Sequence, residues 1–369
     1  MRIAYIFLPG RTIRSTHFNK ISFPSEFFYG VIELRRRGYK VDILEIDDSP
    51  RRGWGRFLAE RLHKKKYLPV KMNISVLDAV RLKLADLKNY DIVVATTTGI
   101  AFSVMFWKNI FRLPFRVVGI ISGILNYETN YARLWLSRYL LSKMAVHLFG
   151  DAEKDPLCKK YRIANSVVTV NNFGVDCNFW INDSLPEIDG YVLSVGNDAM
   201  RDFEVLIEAA KFIERKVVIV TNRIINVIIP NNVFILRGSW QSQGISDEEL
   251  RKMYCKAFCV VVPLKESYQP SGQSVTLQAM SCSKPVVLTK TIGLWDTDNL
   301  QHAENLLFVR AGEPKDIVTC VNQLENGTIN VEDLCRQARE YVMKFGNIEA
   351  FADRLERTFH EVGAKKSGN

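Results

Sequence analysis

The segment at 263–290 limits the possible folds of this chain more than any other. An apolar run ends at Val262, a polar turn containing Gly272 follows, and the spacing of apolar residues predicts a short helix from about Ser274. A second apolar run, at 286–289, comes after the helix. Strand, small-residue turn, helix and strand in this order indicate a parallel sheet with helices packed on it.

The turn in this segment has the composition of an anion site. The first N–H groups of a helix have no helical acceptor, and the helix dipole favours negative charge there. Gly272 lets a phosphate approach the backbone closely, and Ser271, Gln273 and Ser274 add hydroxyl and amide donors. The same residues also suit a helix cap in an α/β domain without a ligand, so the segment alone leaves both interpretations open.

The length and composition predict two folded domains. The chain has 369 residues, of which 47% are hydrophobic, enough for two cores. Its longest apolar stretch, near 92–107, is interrupted by polar residues and is too short to span a membrane. No secretory leader is expected at the N-terminus. The seven cysteines are scattered without metal-ligand spacing, which favours free buried thiols in a reducing cytosol.

Charge is distributed unevenly along the chain. Residues 1–150 contain 25 Lys and Arg against 11 Asp and Glu, a balance of +14, whereas residues 151–369 contain 25 against 29, a balance of −4. These two values add to the net charge of +10. A basic first half indicates that this half meets an anionic partner.

Alternating apolar runs and amphipathic segments predict two doubly wound parallel sheets. One set of strands ends near residue 171 and the next begins at Tyr191, with the linker-like sequence NDSLPEIDG between them. The first helix is expected at 24–37, and no helix is predicted between the strands at 40–46 and 91–96. The predicted domains are 1–182, 183–346 and a final helix at 347–369 that packs back toward the first domain. Ligands of such sheets bind at the carboxyl ends of the strands, so we expect a cleft between the two domains to hold the site.

Five segments, taken in order, carry a family resemblance. They are FGDAEKDPLCKKYRIANSVVTVNNFGVDCNFW, YVLSVGNDAMRDFEVLIEA, VFILRGSWQSQGISDEELRKMYCKAFCVVVPL, PSGQSVTLQAMSCSKPVVLT and the short ENLL that precedes the last strand. Together they resemble the retaining GT-B glycosyltransferases of family four, also called glycosyltransferase group one. The resemblance implies an α/β fold of GT-B type, with two Rossmann-like doubly wound domains facing across a cleft, an acceptor in the first and a nucleotide-sugar donor in the second.

The resemblance also implies donor-binding residues. Many members place an Arg and a Lys on the first turn of the second domain; here Asn197 occupies the Arg position and Arg201 the Lys position. The residues expected to bind the donor are Gly10, Arg11, Gly196, Asn197, Arg201, Ser271, Gly272, Gln273, Ser274 and Gln278.

The chain departs from the family pattern at several positions. Many members carry two Glu residues eight positions apart on the donor loop, where this chain has Pro270 and Gln278. Glu266 lies nearby and either faces the donor sugar or is a solvated loop charge. Ser122-Gly123 replaces a common His-Gly pair. His17, in the loop after the first strand, is one substitute for that His; His147 is more typical of a core residue.

The implied chemistry is stabilisation of a diphosphate leaving group. Backbone N–H groups at 272–274 and the Arg201 guanidinium would stabilise its growing charge. Lys265 and Glu266 complete the expected catalytic set with Arg201. No metal, other cofactor or protein base is expected; the donor would carry UDP or GDP, and Asp296-Thr297-Asp298 is interpreted as a turn. Retention would follow from front-face attack, in which the leaving phosphate accepts the proton.

The acceptor is expected at an anionic membrane. Residues 51–68 mix Arg and Lys with Trp54, Phe57 and Tyr67, a composition typical of a segment at a lipid interface. Trp107, Phe111, Arg112, Phe115 and Arg116 would extend this patch. The prediction is a lipid-linked or glycan acceptor and a cytoplasmic protein attached to the inner face of the cell membrane. A solvated charged face with core aromatics is the alternative, as is a soluble small-molecule acceptor.

Other functions remain open at this stage. A catalytically silent homologue that binds nucleotide-sugar would account for the replacements at Asn197, Ser122, Pro270 and Gln278. A phosphorylase or epimerase on the same fold, or a nucleic-acid binder that uses the basic half, is less consistent with the motifs, and no nucleic-acid partner is expected. The sequence leaves the base and the sugar undefined, although Trp240 lies near the expected base contacts.

Overall fold

A computed structural model describes residues 1–12, 23–47, 49, 67–182, 189–238 and 244–364. The chain forms two compact units. Unit 1 contains residues 1–21, 27–171 and 352–369, and unit 2 contains residues 22–26 and 172–351.

Unit 1 is built on a six-stranded parallel sheet with the strand order β2-β1-β3-β4-β5-β6. Its strands are β1 (Arg2–Phe7), β2 (Lys40–Glu45), β3 (Ile92–Ala95), β4 (Arg116–Ile120), β5 (Ala145–Leu148) and β6 (Val168–Val170). Its helices are α1 (Val31–Arg36), α2 (Ile74–Leu87), α3 (Thr98–Phe111), α4 (Tyr131–Leu141), α5 (Lys154–Tyr161) and α11 (Ile348–Ala364), the last of which begins in unit 2.

Local sequence accounts for most of these elements. Strand β3 is buried along its whole length, as expected for a parallel strand covered on both faces. Helices α2, α3 and α4 begin at Asn73, Thr97 and Asn130, whose side chains each accept a hydrogen bond from the first turn. The final helix packs in unit 1, where Arg37 lies 2.7 Å from Asp353.

Two parts of unit 1 differ from the sequence-based prediction. The single helix expected at 24–37 is divided into a 3-10 turn, Ser25–Phe28, and helix α1. Gly30, with φ of 80°, separates them, because a left-handed residue cannot continue a helix. Helix α2 was not predicted at all, although Asn73 and the apolar spacing that follows are readable signals of a helix start.

Unit 2 is built on a second six-stranded parallel sheet, with the order β12-β11-β10-β7-β8-β9. Its strands are β7 (Tyr191–Val195), β8 (Val217–Val220), β9 (Val233–Leu236), β10 (Ala257–Val262), β11 (Val286–Thr289) and β12 (Leu307–Val309). Its helices are α6 (Phe203–Ala210), α7 (Asp247–Lys256), α8 (Gln273–Ser281), α9 (Pro314–Glu325) and α10 (Val331–Tyr341).

The strand order defines a topological switch point in each sheet. In unit 2 the chain proceeds outward from β7 to β9 and then returns to β10, so the loops after β7 and β10 leave the sheet side by side in opposite directions. Ligands of doubly wound sheets bind at such a switch point. The predicted α/β architecture of two doubly wound, Rossmann-like domains is confirmed. Within the described residues, no helix is both long and apolar enough to cross a bilayer.

Candidate functional site

The loops after β7 and β10 are joined by their backbones at the switch point of unit 2. Arg201 and Leu264 form an isolated antiparallel bridge. The Lys265 N–H donates to the Met200 carbonyl at 2.8 Å, and the Asp202 N–H donates to the Pro263 carbonyl at 3.0 Å. These bonds fix the position of Arg201 relative to the turn that precedes helix α8.

The Arg201 side chain lies between two glycines. It is only 3% exposed. A Cβ atom at Gly196 would lie 2.1 Å from the Arg201 Nε, and one at Gly272 would lie 3.1 Å from Nη1. Gly272 also has φ of 81°, a conformation that favours glycine. Both glycines are therefore required by the packing of one guanidinium as well as by any ligand.

The Arg201 guanidinium keeps buried donors available. Its Nε lies 2.9 Å from Asp198 Oδ2, an ion pair that the sequence interpretation missed. Nε and Nη1 are both buried, and neither makes a hydrogen bond in the described structure. Arg223 holds the same turn from outside, since its Nη1 donates to the carbonyls of Asp198 and Arg201 at 3.0 and 2.7 Å. A buried cation with an unused donor needs an acceptor, which a bound anion would provide.

Helix α8 presents its N-terminus beside this cation. Gly272 is its N-cap, and the first helical hydrogen bond runs from the Thr276 N–H to the Gly272 carbonyl. The N–H groups of Ser274 and Val275 precede that bond, as at any helix start. The Ser271 hydroxyl is also buried without a partner among the described residues. The nine-residue helix therefore adds dipole and donors to the charge of Arg201.

Gln278, on the second turn of α8, is held inside unit 2. Its Oε1 accepts a hydrogen bond from Tyr254 Oη at 3.2 Å, and its Nε2 donates to Glu26 Oε1 at 3.1 Å. Glu26 also accepts hydrogen bonds from Trp180 Nε1 at 2.6 Å and from the Asp176 N–H at 3.0 Å. Burial raises the pKa of Glu26 to about 7. The expected contact of Gln278 with the donor stays a prediction.

Asn197 connects three strand-end loops. Its Nδ2 donates to the Gly238 carbonyl at 3.0 Å, and its Oδ1 accepts from the Asn222 N–H at 2.6 Å and from Thr221 Oγ1 at 3.3 Å. This amide therefore links the ends of β7, β8 and β9. Its role in donor binding also stays a prediction.

Lys265 and Glu266 lie on the loop after β10, and both are exposed. Glu266 Oε1 accepts the Ile292 N–H at 2.7 Å, which ties this loop to the segment after β11. Gly293 supports the same contact, because a Cβ there would lie 2.5 Å from the Ser267 carbonyl oxygen. Glu266 is thus a loop anchor in this structure, and neither residue touches Arg201 by any contact described.

Gly10 and Arg11 lie in unit 1, after β1. Gly10 has φ of 113°. The Arg11 side chain is buried, and its Cζ lies 5.4 Å from the centre of the Phe7 ring. His147 is fully buried in β5, with a pKa lowered to about 4 by burial, as a core histidine would be. His17, Trp240 and residues 51–66 lie outside the described residues.

The Ser122-Gly123 turn follows β4 and is held by the exposed Lys71 and the buried Glu153. Lys71 Nζ donates to the Ser122 carbonyl at 2.7 Å, and the Gly123 N–H donates to Glu153 Oε1 at 3.1 Å. Glu153 Oε2 is buried without a partner in the described structure. Burial raises the pKa of Glu153 to about 7, and burial lowers that of Lys71. The sequence interpretation missed both side chains.

The cysteines and acidic residues offer no alternative centre in the part of the chain that is described. All seven cysteines are free, and Cys177 and Cys255 are half-buried rather than buried. No group of three His, Cys, Asp or Glu side chains there has the geometry of a metal site. Asp296 is buried in a turn, where it accepts a hydrogen bond from Tyr341 Oη at 3.0 Å.

One protein family model matches part of the second half of the chain. Residues 190–326 match a family model described as glycosyl transferases group 1. This range contains the Arg201 turn and helix α8. No curated protein sequence matches the chain.

Solved structures resemble the whole chain. Sucrose-phosphate synthase from Thermosynechococcus elongatus aligns with a TM-score of 0.72 and 15% identity, covering 99% of this chain and 100% of that one. HepE from Anabaena, in complex with UDP-glucose, aligns with a TM-score of 0.69 and 14% identity, covering 98% and 100%. The lipopolysaccharide outer core galactosyltransferase WaaB aligns with a TM-score of 0.60 and 11% identity, covering 98% and 99%. The chain therefore has the GT-B fold, and its residues 190–326 match the group 1 glycosyl transferases.

Proposed function

We propose that the protein transfers a sugar from a nucleotide-diphosphate sugar to an acceptor hydroxyl, with retention of the anomeric configuration. The observation that carries this proposal is the buried Arg201 guanidinium, whose Nη1 lies beside the N-cap of α8 without a partner in the described structure. A diphosphate would supply the missing acceptor. The match of residues 190–326 to group 1 glycosyl transferases supports the same assignment.

The site suits the chemistry of donor cleavage. Negative charge grows on the diphosphate as its bond to the anomeric carbon breaks. Arg201 and the first N–H groups of α8 are held in place before the reaction, so they stabilise that charge without further reorganisation. Retention follows from front-face attack, in which the leaving phosphate accepts the acceptor's proton and no protein base is used. UDP or GDP is the proposed nucleotide, and structures of the similar HepE contain UDP and UDP-glucose.

The proposed acceptor is a glycan or lipid-linked hydroxyl at an anionic membrane, and the protein would act on its cytoplasmic face. The excess of 14 positive charges in residues 1–150 supports this part of the proposal. One similar structure is that of an enzyme of the lipopolysaccharide outer core. The proposed reaction uses the charges of the chain itself and no additional cofactor.

The test is the substitution Arg201→Ala. We expect turnover to fall by about two orders of magnitude or more, as on removal of a group that stabilises transition-state charge. UDP or GDP, whichever raises the melting temperature of the wild type, should no longer do so in the variant. Arg215→Ala is the matched control, because Arg215 is a half-buried arginine of unit 2 that pairs with Glu325.

Three outcomes are distinguishable. Unchanged nucleotide binding and turnover in Arg201→Ala would remove Arg201 from the mechanism. Binding of nucleotide-sugar by the wild type, without transfer and without donor hydrolysis, would identify a silent homologue. A melting temperature lowered equally in Arg201→Ala and Arg215→Ala, with donor binding intact, would assign Arg201 to structure alone.

A further inference from the structure

A cationic cavity lies at the amino-terminal end of strands β4 and β5 in unit 1. Its volume is about 310 Å³. Three cations, Lys108, Arg116 and Lys143, line it together with one carboxylate, Glu361. The hydroxyls of Ser142, Thr169 and Thr358 also line it, but they donate to main-chain carbonyls of unit 1. The cations and the hydroxyl of Ser166 are therefore donors that a ligand there could use.

Two of these cations, Lys108 and Lys143, are close enough to disfavour one another. Burial lowers the pKa of Lys108, and the charge of Lys143 lowers it further. Like charges held together in a partly buried cavity cost free energy unless an anion lies between them. A phosphate group has the charge and the acceptor oxygens to offset this repulsion.

An exposed aromatic and aliphatic face adjoins the cavity. On helix α4, Tyr131, Trp135 and Tyr139 follow one another at intervals of four residues and are 84%, 60% and 38% exposed. The rings of Trp135 and Tyr139 are stacked with their centroids 6.1 Å apart, and Lys143 Nζ lies 4.8 Å from the centre of the Tyr139 ring. Lys143 thus belongs to both the cavity and the face.

Helix α3, which packs against α4 and carries Lys108 of the cavity, exposes two apolar residues at its own C-terminus. Ile110 and Phe111 are 53% and 54% exposed there. Two residues that the sequence analysis expected in a membrane patch are not exposed. Phe115 is buried in the core. Trp107 is half-buried, and its Nε1 donates a hydrogen bond to the Leu77 carbonyl at 2.7 Å.

We propose that unit 1 docks on an anionic phospholipid bilayer, with a lipid phosphate in the cavity of Lys108, Arg116 and Lys143 and with Ile110, Phe111, Trp135 and Tyr139 at the lipid interface. Exposed rings beside cations are typical of surfaces that bind such bilayers. The proposal deepens the membrane part of the proposed function, but it concerns a different surface from the donor site.

Charge favours lipid over a second copy of the chain. Residues 98–143 contain six Lys and Arg (Lys108, Arg112, Arg116, Arg133, Arg138 and Lys143), of which only Arg133 is buried, against one acidic residue, Glu128. A symmetric dimer through this face would bring two such excesses of positive charge together, whereas an anionic leaflet neutralises them. The exposed Val227 and Ile228 of unit 2 line a pocket together with Glu204 and Glu208, so that surface lacks the same excess.

The test is flotation of the full chain with phosphatidylcholine vesicles, with and without phosphatidylglycerol, at low and high salt. We expect binding only to the anionic vesicles and weaker binding at high salt. The double variant Lys108→Ala/Lys143→Ala should bind about 25-fold more weakly, since each cation near an anionic surface contributes about five-fold. Trp135→Ser/Tyr139→Ser should also lose binding. The matched control is Lys211→Ala/Phe212→Ser on unit 2, with a cation and a ring of similar exposure.

Several results would overturn the proposal. Wild-type protein that ignores anionic vesicles, or variants that bind as well as the control, would do so. Stabilisation by inorganic phosphate alone, lost in the double lysine variant but without vesicle binding, would identify a soluble anion instead. A dimer in analytical ultracentrifugation that Trp135→Ser/Tyr139→Ser dissociates would identify a second copy.

Different variants test the membrane proposal and the proposed sugar transfer, so the failure of one proposal can be told from the failure of the other. Arg201→Ala should bind anionic vesicles like the wild type, while the lysine and aromatic variants should keep the nucleotide-dependent rise in melting temperature. Circular dichroism and thermal unfolding of each variant report whether it is folded.

Discussion

Two strand-end turns, one in each unit, place a cation next to glycine backbone, but the two cations differ in burial and in partners. In unit 2, the buried Arg201 forms an ion pair with Asp198 through Nε, and its Nη1 lies beside the N-cap of α8 without a hydrogen bond in the described structure. In unit 1, the exposed Lys71 donates to the Ser122 carbonyl, and the neighbouring Gly123 N–H donates to Glu153. The first turn can accept an anion, whereas an anion at the second would compete with a buried carboxyl group. The proposed function, with a charged donor and an uncharged acceptor hydroxyl, would use this difference.

Among substitutions that test the difference between these two turns, Gly196→Ala is expected to have the largest effect on stability and nucleotide affinity. The new Cβ would lie 2.1 Å from the Arg201 Nε, so the guanidinium must move within a packed site. Overpacking of this kind costs about 1–3 kcal/mol of unfolding free energy. We expect a lower melting temperature together with at least about a ten-fold loss of nucleotide affinity, since the shifted guanidinium no longer meets the diphosphate.

The control for that substitution is Gly363→Ala. Gly363 has open space around its Cβ position and no left-handed backbone, so alanine should be neutral there. Calorimetric unfolding and nucleotide titration of both variants measure the two effects. Nucleotide affinity that is unchanged in Gly196→Ala would show that the position of the guanidinium does not matter for the donor.

The next largest effect is expected on the pH dependence of stability, which reports on the buried carboxyl group of Glu153. Burial raises the pKa of Glu153 from 4.5 to about 7, so between these values the folded state keeps a proton that the unfolded state has lost. The free energy of unfolding therefore falls as pH rises through this window, by up to about 1.4 kcal/mol per pH unit. Glu153→Gln should flatten this dependence because Gln does not titrate. Gln also keeps an oxygen for the Gly123 N–H, so that hydrogen bond is retained.

The substitution Glu26→Gln provides the corresponding test for the buried carboxyl group in unit 2. The pKa of Glu26 is also raised to about 7 by burial, so the same sign applies. Its two oxygens accept from three N–H donors, however, and an amide has only one acceptor oxygen. We expect this variant to lose stability at all pH values, whereas Glu153→Gln loses little at pH 5. Melting temperatures of both variants, measured from pH 5 to 8, test these expectations. A pH dependence of the melting temperature that is the same in Glu153→Gln as in the wild type would contradict the raised pKa of Glu153.

The smallest effect is expected at Glu266→Gln. The carboxylate accepts the Ile292 N–H at 2.7 Å, and an amide oxygen can accept the same bond. We expect stability within about 0.5 kcal/mol of the wild type and a decrease of less than about ten-fold in kcat/KM. A hundred-fold loss of turnover at an unchanged melting temperature would instead place Glu266 on the donor sugar.

Local signals predicted the fold well where they were strong. The helix expected from about Ser274 begins at Gln273, and the strand at 286–289 is β11, because a buried run, a glycine turn and a proline break each act over a few residues. The division at Gly30 was missed because its effect depends on a backbone conformation that the sequence does not display.

The candidate site was predictable only in part. Arg201 and Gly272 follow from the family pattern, and the structure brings them together. Asp198 was readable in principle, being three residues before Arg201. The partner of Gln278 was not, because Glu26 lies 252 positions away, and no local signal connects residues across such a distance.

Residue 26 has a practical consequence for anyone who divides this protein. Residues 22–26 complete unit 2 from within the sequence of unit 1, and residues 352–369 return to unit 1 after unit 2 is finished, so the chain passes between the units four times. A fragment limited to 172–351 would leave the indole of Trp180 and the Gln278 amide facing an empty pocket where a carboxylate belongs. Such a fragment should be insoluble or poorly folded unless a peptide spanning Glu26 is supplied in trans.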